Sequence, residues 1–346
     1  MRHVHIGDRD LAVGPPYLIA EAGVNHNGKV DEALELIDVA VASGADAVKF
    51  QMFEASTLVR PDGPVADYQK AIASTQFELL TELELDRGEF VRLADHASAV
   101  GIEFLCTPFS IDAASFLINE IGVPATKIGS GDLTYSQLLR HVSGTGQVVL
   151  LSTGMATSGE IRRALKDLED ADVVLLHCIS QYPAPSAQAN MSALGTLRAM
   201  TGDPVGLSDH FTSDLPSVMA VALGARVIER HFTLDKTASG PDHAASMDPG
   251  ELREWVARMH ETHGSLGDSV KEPQPAERDI RVVSRRSITA ARDLEKGAVL
   301  EEADLGALRP EDGISPQRTD DLIGRHLLRS LEAGQPINWS DVSEAP

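Results

Sequence analysis

Short apolar runs alternate with amphipathic stretches along most of this 346-residue chain. Eight runs have the length and composition of buried strands: YLIAEAG (17–23), DAVKFQ (46–51), EFLCTPF (103–109), ATKIGS (125–130), QVVLLSTG (147–154), VVLLHCIS (173–180), PVGLSDH (204–210) and RVIERHF (226–232). They are nearly continuous in apolar residues, as strands covered on both faces should be. Helical patterns lie between them. VDEALELIDVAVASG (30–44) sets Ala33, Leu34, Ile37, Ala40 and Val41 on one face, and similar patterns span 87–101, 159–170, 213–225 and 249–264. Eight strand-then-helix units predict an α/β fold, a parallel (β/α)₈ TIM barrel, with a doubly wound open sheet as the alternative. The stretch 53–86 is too long for a plain connection, and DYQKAIASTQFELLTELEL within it predicts an inserted helix over one mouth of the barrel.

The pattern changes at GSLGDSVKEPQPAERD (264–279), a polar stretch with two prolines. The division expected is a barrel domain over 1–268, a linker over 269–284 and a small β-rich module over 285–346. That module is too short and too full of turns to extend the barrel.

Composition narrows the partners. A hydrophobic share of 42% is ample for a large core, and a formal charge of -22 argues against nucleic acid and against an anionic membrane surface. Cys106 and Cys178 are the only cysteines and form no C-x-x-C spacing, which points to a reducing compartment. The first residues do not resemble a signal peptide and no apolar run approaches a membrane span, so a cytoplasmic location is expected.

The polar residues fall at one end of every strand. Glu21, Lys49 with Gln51, Thr107, Lys127 with Ser130 and Asp132, Ser152, Ser180 with Tyr182, Ser208 with His210, and Glu229 with His231 all follow or end apolar runs. In a barrel that end carries the reactive groups. Lys49/Gln51, Ser208/His210 and Glu229/His231 are spaced by two, so each pair faces one side of its strand. Two readings fit: a site, or a buried polar network pairing Lys49 and Lys127 with Glu21 and Glu229. His210 and His231 end consecutive strands and are candidate ligands of one open metal centre, or structural hydrogen-bonders. The two lysines, with the Gly-flanked serines of KIGSGD and LSTGM, would suit a phosphate; tight turns alone would also explain those glycines.

Taken together, IAEAGVNHNG, DAVKFQ, CTPF, KIGSGD, LSTGM, HCIS-QYPAP, GLSDH, ERHFTLDK and GPDHAASMDP resemble the sialic acid (N-acylneuraminate) synthases. The C-terminal RRSI, LEKGAVL, LRPEDGISP and LIGR resemble the antifreeze-like (SAF) domain that ends those enzymes. The resemblance implies condensation of phosphoenolpyruvate with an N-acetylhexosamine, foremost N-acetylmannosamine, to a nonulosonic acid and phosphate by C–O cleavage. A neuraminate-9-phosphate or legionaminic-type synthase is the alternative. It also implies a domain-swapped homodimer in which the SAF domain of one chain closes the barrel of the other.

Carried over by residue, Lys49, Thr107, Lys127, Ser130, Ser152 and Ser208 would hold phosphoenolpyruvate. His210 and His231 would bind a divalent metal, Mn²⁺ ahead of Mg²⁺ or Co²⁺ on ligand softness. Gln51, Asp132, Ser180, Tyr182, Glu229 and Asp242 would line the sugar site, and Arg309 would reach the N-acyl group from the partner chain. Several bacterial members of that family carry Glu at the position of Asp132 and Asn at that of Ser180, so the resemblance leaves room for a different sugar pocket. Glu21 would be the base for the water that attacks C2, kept ionised in the free enzyme by the two lysines. Rival readings are a Schiff-base aldolase using Lys49 or Lys127, a non-catalytic carbohydrate-binding protein, and a neighbouring synthase acting on arabinose or erythrose phosphates.

Overall fold

The computed structural model describes residues 2–63 and 75–344, which fall into two compact units, Met1–Gly267 and Asp268–Pro346. The first is the barrel. A short antiparallel hairpin, β1 (His5–Ile6) and β2 (Arg9–Asp10), precedes eight parallel strands. These are β3 (Tyr17–Gly23), β4 (Ala47–Met52), β5 (Glu103–Pro108), β6 (Ala125–Ile128), β7 (Val148–Ser152), β8 (Asp172–Cys178), β9 (Val205–Asp209) and β10 (Val227–His231). Their hydrogen-bonded order is β5-β4-β3-β10-β9-β8-β7-β6, so the first and last barrel strands are partners. β5 and β6, the two ends of that order, lie side by side and bring the barrel close to closure. All eight expected strands are present, β3 with the expected bounds and the others with ends within two residues of those expected.

The alternation along the strands divides the core in two. Leu18, Ala20, Val48, Phe50, Phe104, Cys106, Val149 and Leu151 face outward and pack under the surrounding helices. Tyr17, Ile19, Ala47, Leu105, Ala125, Leu150, Val174, Leu176 and Val227 face the barrel interior. The N-terminal hairpin closes the bottom of that interior, with Val4, Ile6 and Leu11 joining the same cluster. Arg226 ties it down, donating from Nε to the Leu11 carbonyl (2.6 Å). One end of the barrel is thus plugged with apolar residues, and the strands run out of apolar residues toward the other.

The helices start and stop where local chemistry says they should. Asp86, Thr157 and Asp248 each accept from the backbone N–H three residues on, and Glu89, Glu160 and Glu251 reciprocate. The helix Val30–Ser43 buries Ala33, Leu36, Ile37 and Ala40. The face expected from the sequence is corrected by one flank: Leu36 is inside, whereas Val41 is exposed and Leu34 only partly covered. Alanines on both flanks make the two stripes nearly equal in hydrophobicity, and contact with the neighbouring helix Arg87–Val100 selects between them.

Residues 64–74, the first part of the expected inserted helix, lie outside the described residues. On either side are the helices Ala55–Leu58 and Gln76–Thr81, and Leu79 and Leu83 pack with Val24 and Phe53 above the end of β3. No helix among the described residues is long and apolar enough to cross a membrane.

The second unit contains the expected linker stretch, which includes a short helix, Arg278–Ser284. Beyond it, β11 (Ser287–Ala290) pairs antiparallel with β12 (Leu305–Leu308) over a small core that includes Ile288, Leu300, Leu322 and Ile337. LEKGAVLEEADL and LEAGQPINWSDV in this unit are structural repeats. Leu294 and Leu331 exchange backbone hydrogen bonds, and buried Asp304 and Asp341 each cap a turn and pair with Arg292 and Arg329.

Gly206 tests the packing of the barrel interior. A Cβ there would collide with the Val227 carbonyl oxygen and with Leu176 Cδ2. Neither neighbour can retreat, one being ladder backbone and the other packed among interior side chains. Gly206→Ala should therefore destabilise the barrel by about 1–3 kcal/mol, the cost of overpacking, read as a lower melting temperature than wild type.

Candidate active site

At the carboxyl end of the barrel the inward positions become polar without losing register. β3 follows Tyr17 and Ile19 with Glu21; β4 follows Ala47 with Lys49 and Gln51; β6 follows Ala125 with Lys127; β10 follows Val227 with Glu229 and His231. These side chains, with Thr107, Ser130, Ser152, Ser180, Tyr182, Ser208 and His210, line one cleft of about 250 Å³.

Its floor is a network of two ammonium groups and two carboxylates, all nearly inaccessible to solvent. Lys49 Nζ lies 2.6 Å from Glu21 Oε2 and 3.6 Å from Glu229 Oε2, and Lys127 Nζ lies 3.6 Å from Glu229 Oε1. Lys49 also donates to Thr107 Oγ1 (3.0 Å), Gln51 to Glu21 Oε1 (3.0 Å), and Ser208 to Glu229 Oε1 (2.9 Å). The two readings of these residues are therefore one arrangement: the network exists, and it is the floor of the cleft.

The two carboxylates differ in kind. Burial pushes Glu21 above the usual carboxylate range, and Lys49 does not make up the difference. This corrects the expectation that the lysines keep Glu21 ionised: desolvation outweighs their charge. Burial acts on Glu229 in the same direction, but Lys127 and Lys49 together overcome it and hold that carboxyl low. Burial lowers Lys127, whereas for Lys49 the two carboxylates reverse that effect. One carboxyl group is thus poised to take up and release a proton, beside one that stays charged.

The histidines stand above this floor. The His210 and His231 rings are 5.4 Å apart by their centroids, and Tyr182 packs against both, tilted on His210 at 4.0 Å and edge-on to His231 at 5.5 Å. His210 Nδ1 is 2.8 Å from the Ile179 carbonyl, and its Nε2 is 2.9 Å from the Tyr182 hydroxyl. His231 Nδ1 is buried with no hydrogen-bond partner, and burial beside His210 drives that ring strongly toward its neutral form. Burial would also lower His210, but Cys178 and the Ile179 carbonyl raise it to about 9. Among the described residues no group of three or more His, Cys, Asp or Glu gathers in a metal-binding arrangement. A cation here would rest on two imidazoles and draw its other ligands from substrate and water. The orphaned His231 nitrogen and the convergence of the rings fit that role.

Loops at the seam between the first and last barrel strands hold the rim. Asn25 donates from Nδ2 to the Phe232 carbonyl (2.8 Å) and to Ser246 Oγ (2.9 Å). The His243 ring bridges Thr233 Oγ1 (2.6 Å) and Asn27 Oδ1 (3.0 Å). VNHNG and GPDHAAS, far apart in sequence, are one structure here. They fix Asp242, whose carboxyl burial pushes up to about 6 and which senses the charge of His210.

Three expected site residues do not line the cleft. Asp132 sits in the turn after Ser130, its Oδ2 buried without a partner and its carboxyl raised by burial to about 6. Asp242 is buried within electrostatic reach of His210, and Arg309 belongs to the second unit. Conversely Phe109, Gly129, Gly131, Met155 and Cys178 line the cleft and were not singled out from the sequence. Cys178 had a readable signal, lying two residues before Ser180 and two after inward-facing Leu176. Met155 had none beyond its place after a Gly in LSTGM.

The NeuB family profile matches residues 36–271, and the SAF domain profile matches residues 285–343. The N,N'-diacetyllegionaminic acid synthase of Legionella pneumophila is 43% identical over 337 residues, covering 94% of each chain. The enzyme of the same name from Campylobacter jejuni is 40% identical over 328 residues, covering 92% of this chain and 98% of its own. Among solved structures, the N-acetylneuraminic acid (sialic acid) synthetase of Leptospira borgpetersenii, in complex with citrate, aligns with a TM-score of 0.70 at 32% identity. That alignment covers 81% of this chain and 95% of that one.

Proposed function

The chain belongs to the NeuB family, and from that premise we propose that it condenses phosphoenolpyruvate with an N-acylated aminohexose, giving a nonulosonic acid and phosphate. The observation that carries this reading is the floor of the cleft: two buried lysines ringed by Thr107, Ser130, Ser152 and Ser208 suit a small substrate with phosphate and carboxylate oxygens. The two legionaminic relatives are named for a diacetylated product. Phosphoenolpyruvate brings no nitrogen, so both acyl groups would arrive on the sugar. A doubly N-acylated sugar therefore stands ahead of N-acetylmannosamine. A 6-phosphorylated sugar fits less well, since Lys49 and Lys127 are the only lysines or arginines lining the cleft among the described residues.

The chemistry follows from the placement of groups. The lysines and hydroxyls orient phosphoenolpyruvate so that C3 faces the sugar aldehyde. A divalent cation on His210 and His231, Mn²⁺ by ligand type, would supply the charge that polarises the aldehyde oxygen. Bond formation at C3 leaves positive charge at C2, where water adds. Glu21, raised by burial and within reach of Lys49, takes the proton of that water. The tetrahedral centre then collapses to the ketone and expels phosphate with its bridging oxygen; of the two protons of the water, one ends on the oxygen of the former aldehyde and the other leaves with phosphate. Glu229, held low, favours the charged form of both lysines beside it.

A phosphate-release assay tests the reaction, using phosphoenolpyruvate with N-acetylmannosamine, its 6-phosphate and a 2,4-diacetamido sugar. Activity with an N-acylated sugar is expected, lost in EDTA and restored by Mn²⁺. His210→Ala and His231→Ala should each abolish most turnover while the protein melts as a folded domain. Turnover in a strong chelator would remove the metal from the reading. If pyruvate and borohydride instead trap a lysine adduct, the Schiff-base reading takes its place.

Glu21→Gln keeps shape and hydrogen-bonding reach but cannot accept a proton. kcat should fall by about 10²–10⁴-fold with phosphoenolpyruvate affinity nearly unchanged. The wild-type rate should rise with pH through an ionisation above the usual carboxylate range, because the base works only when deprotonated, and Glu21→Gln should lose that limb. Altered affinity with kcat preserved would make Glu21 a counter-ion only.

The proposed homodimer, with Arg309 of one chain serving the barrel of the other, has its own test. Arg309→Ala and His231→Ala chains mixed before assembly should regain about a quarter of wild-type sites, the random-pairing value. No recovery would place Arg309 in its own chain's site or in none.

A further inference from the structure

Met155 combines two features that rarely occur together. It is the most exposed large apolar side chain among the described residues, at 74%, and it is a non-glycine residue in the left-handed region, with φ 63°. An L side chain in that conformation is strained, and glycine would adopt it freely. Packing within its own chain does not compensate the strain, because little of that chain covers the side chain.

The turn that imposes this conformation is held on all sides. Thr153 donates to the Leu176 carbonyl from both its N–H (3.0 Å) and its Oγ1 (2.9 Å). The Gly154 N–H donates to Ser130 Oγ (3.0 Å), and Thr157 caps the helix that follows. Gly154 has no room for a side chain: a Cβ would collide with Ser180 Oγ and Ser130 Oγ and lie 3.2 Å from Cys178 Sγ. The backbone is therefore pressed against the cleft wall, and Met155 projects at the mouth of the same cleft. Strain that is enforced by its surroundings and not offset by packing within the chain is the mark of a side chain kept for what it contacts at the cleft.

The chemistry of the cleft indicates what that is. Its floor is charged, and the His210–Tyr182–His231 group stands above it. Phe109 and Met155 are the aliphatic or purely aromatic side chains in the lining. An acylated aminosugar carries a methyl group on each acyl substituent, which a floor of ion pairs cannot solvate favourably. A flexible, polarisable thioether adapts to such a group. Resting on the reaction proposed above, we propose that Met155 is a specificity-determining residue, its side chain packing on an N-acyl methyl of the aminosugar.

The experiment is a set of separate KM and kcat measurements for sugar and phosphoenolpyruvate on the full chain. It compares wild type, Met155→Gly and Met155→Leu, using the acylated sugars above and mannose, which has no acyl group. Met155→Gly should melt no lower than wild type and by about 2–4 °C higher if the strain is fully relieved. It should raise the acylated-sugar KM roughly tenfold, as for loss of one apolar contact, with the phosphoenolpyruvate KM unchanged and the preference over mannose reduced. Met155→Leu, which restores an apolar side chain, should recover most of the lost affinity. An unaltered sugar KM in Met155→Gly, or an equal rise for both substrates, overturns the proposal. Should wild type release phosphate with none of the acylated sugars, the reaction itself is wrong and this inference falls with it, a result that needs no variant to recognise.

Discussion

Glu229 lies between two buried ammonium groups, 3.6 Å from Lys127 with one oxygen and 3.6 Å from Lys49 with the other. Those lysines stand on β4 and β6, which share no ladder, while Glu229 comes from β10 across the interior. The pairing thus spans the barrel where hydrogen bonding between β5 and β6 is missing. It also balances charge: with Glu21, two carboxylates meet two lysines in a region almost without water. Removing one partner from such a set leaves an uncompensated buried charge, at a cost of about 3–5 kcal/mol. Such a cost in a barrel interior is sustained when the lysines must remain charged and oriented for an anion.

Everything around that network serves to give it two different ends. Below it, the N-terminal hairpin plugs the interior with Val4, Ile6 and Leu11, so water and ligands approach from one side only. Above it, the linked loops of Asn25, Asn27, Thr233 and His243 hold the rim of β3 against that of β10. The strongly acidic surface and the lysine-centred cleft are not in conflict. A net charge of -22 is a property of the exterior, whereas the field at the floor is set by groups a few ångströms away.

Much of this was legible in the residue pattern. The eight strands and the polar set at their carboxyl ends follow from alternation and from where apolar runs stop. The inward placement of Lys49 with Gln51, and of Glu229 with His231, follows from spacing by two. Other features had weak or misleading signals. Leu34 and Val41 were as good a helix face as Leu36 until a neighbouring helix chose. Met155 lines the cleft from a loop, where periodicity says nothing, whereas Phe109 continues the inward spacing of Leu105 and Thr107. The duplicated LEKGAVLEEADL and LEAGQPINWSDV units could have been found by self-comparison, through the shared Leu-Glu, Gly and Asp positions.

Periodicity is local, and so the sequence by itself determined which side chains face inward and where each strand turns from apolar to charged. Motif identity likewise determined the family. Which carboxylate meets which lysine was decided only by closure, because Glu229 and Lys127 are a hundred residues apart and touch only when β10 curves opposite β6. The character of Glu21 was decided the same way. Counted along the chain it is a carboxylate near two lysines and should stay ionised. Packed beneath Gln51 and away from water, it loses more from desolvation than Lys49 returns, and its proton affinity rises. Solvent exclusion is a property of the assembled barrel, and no reading of neighbours in sequence contains it.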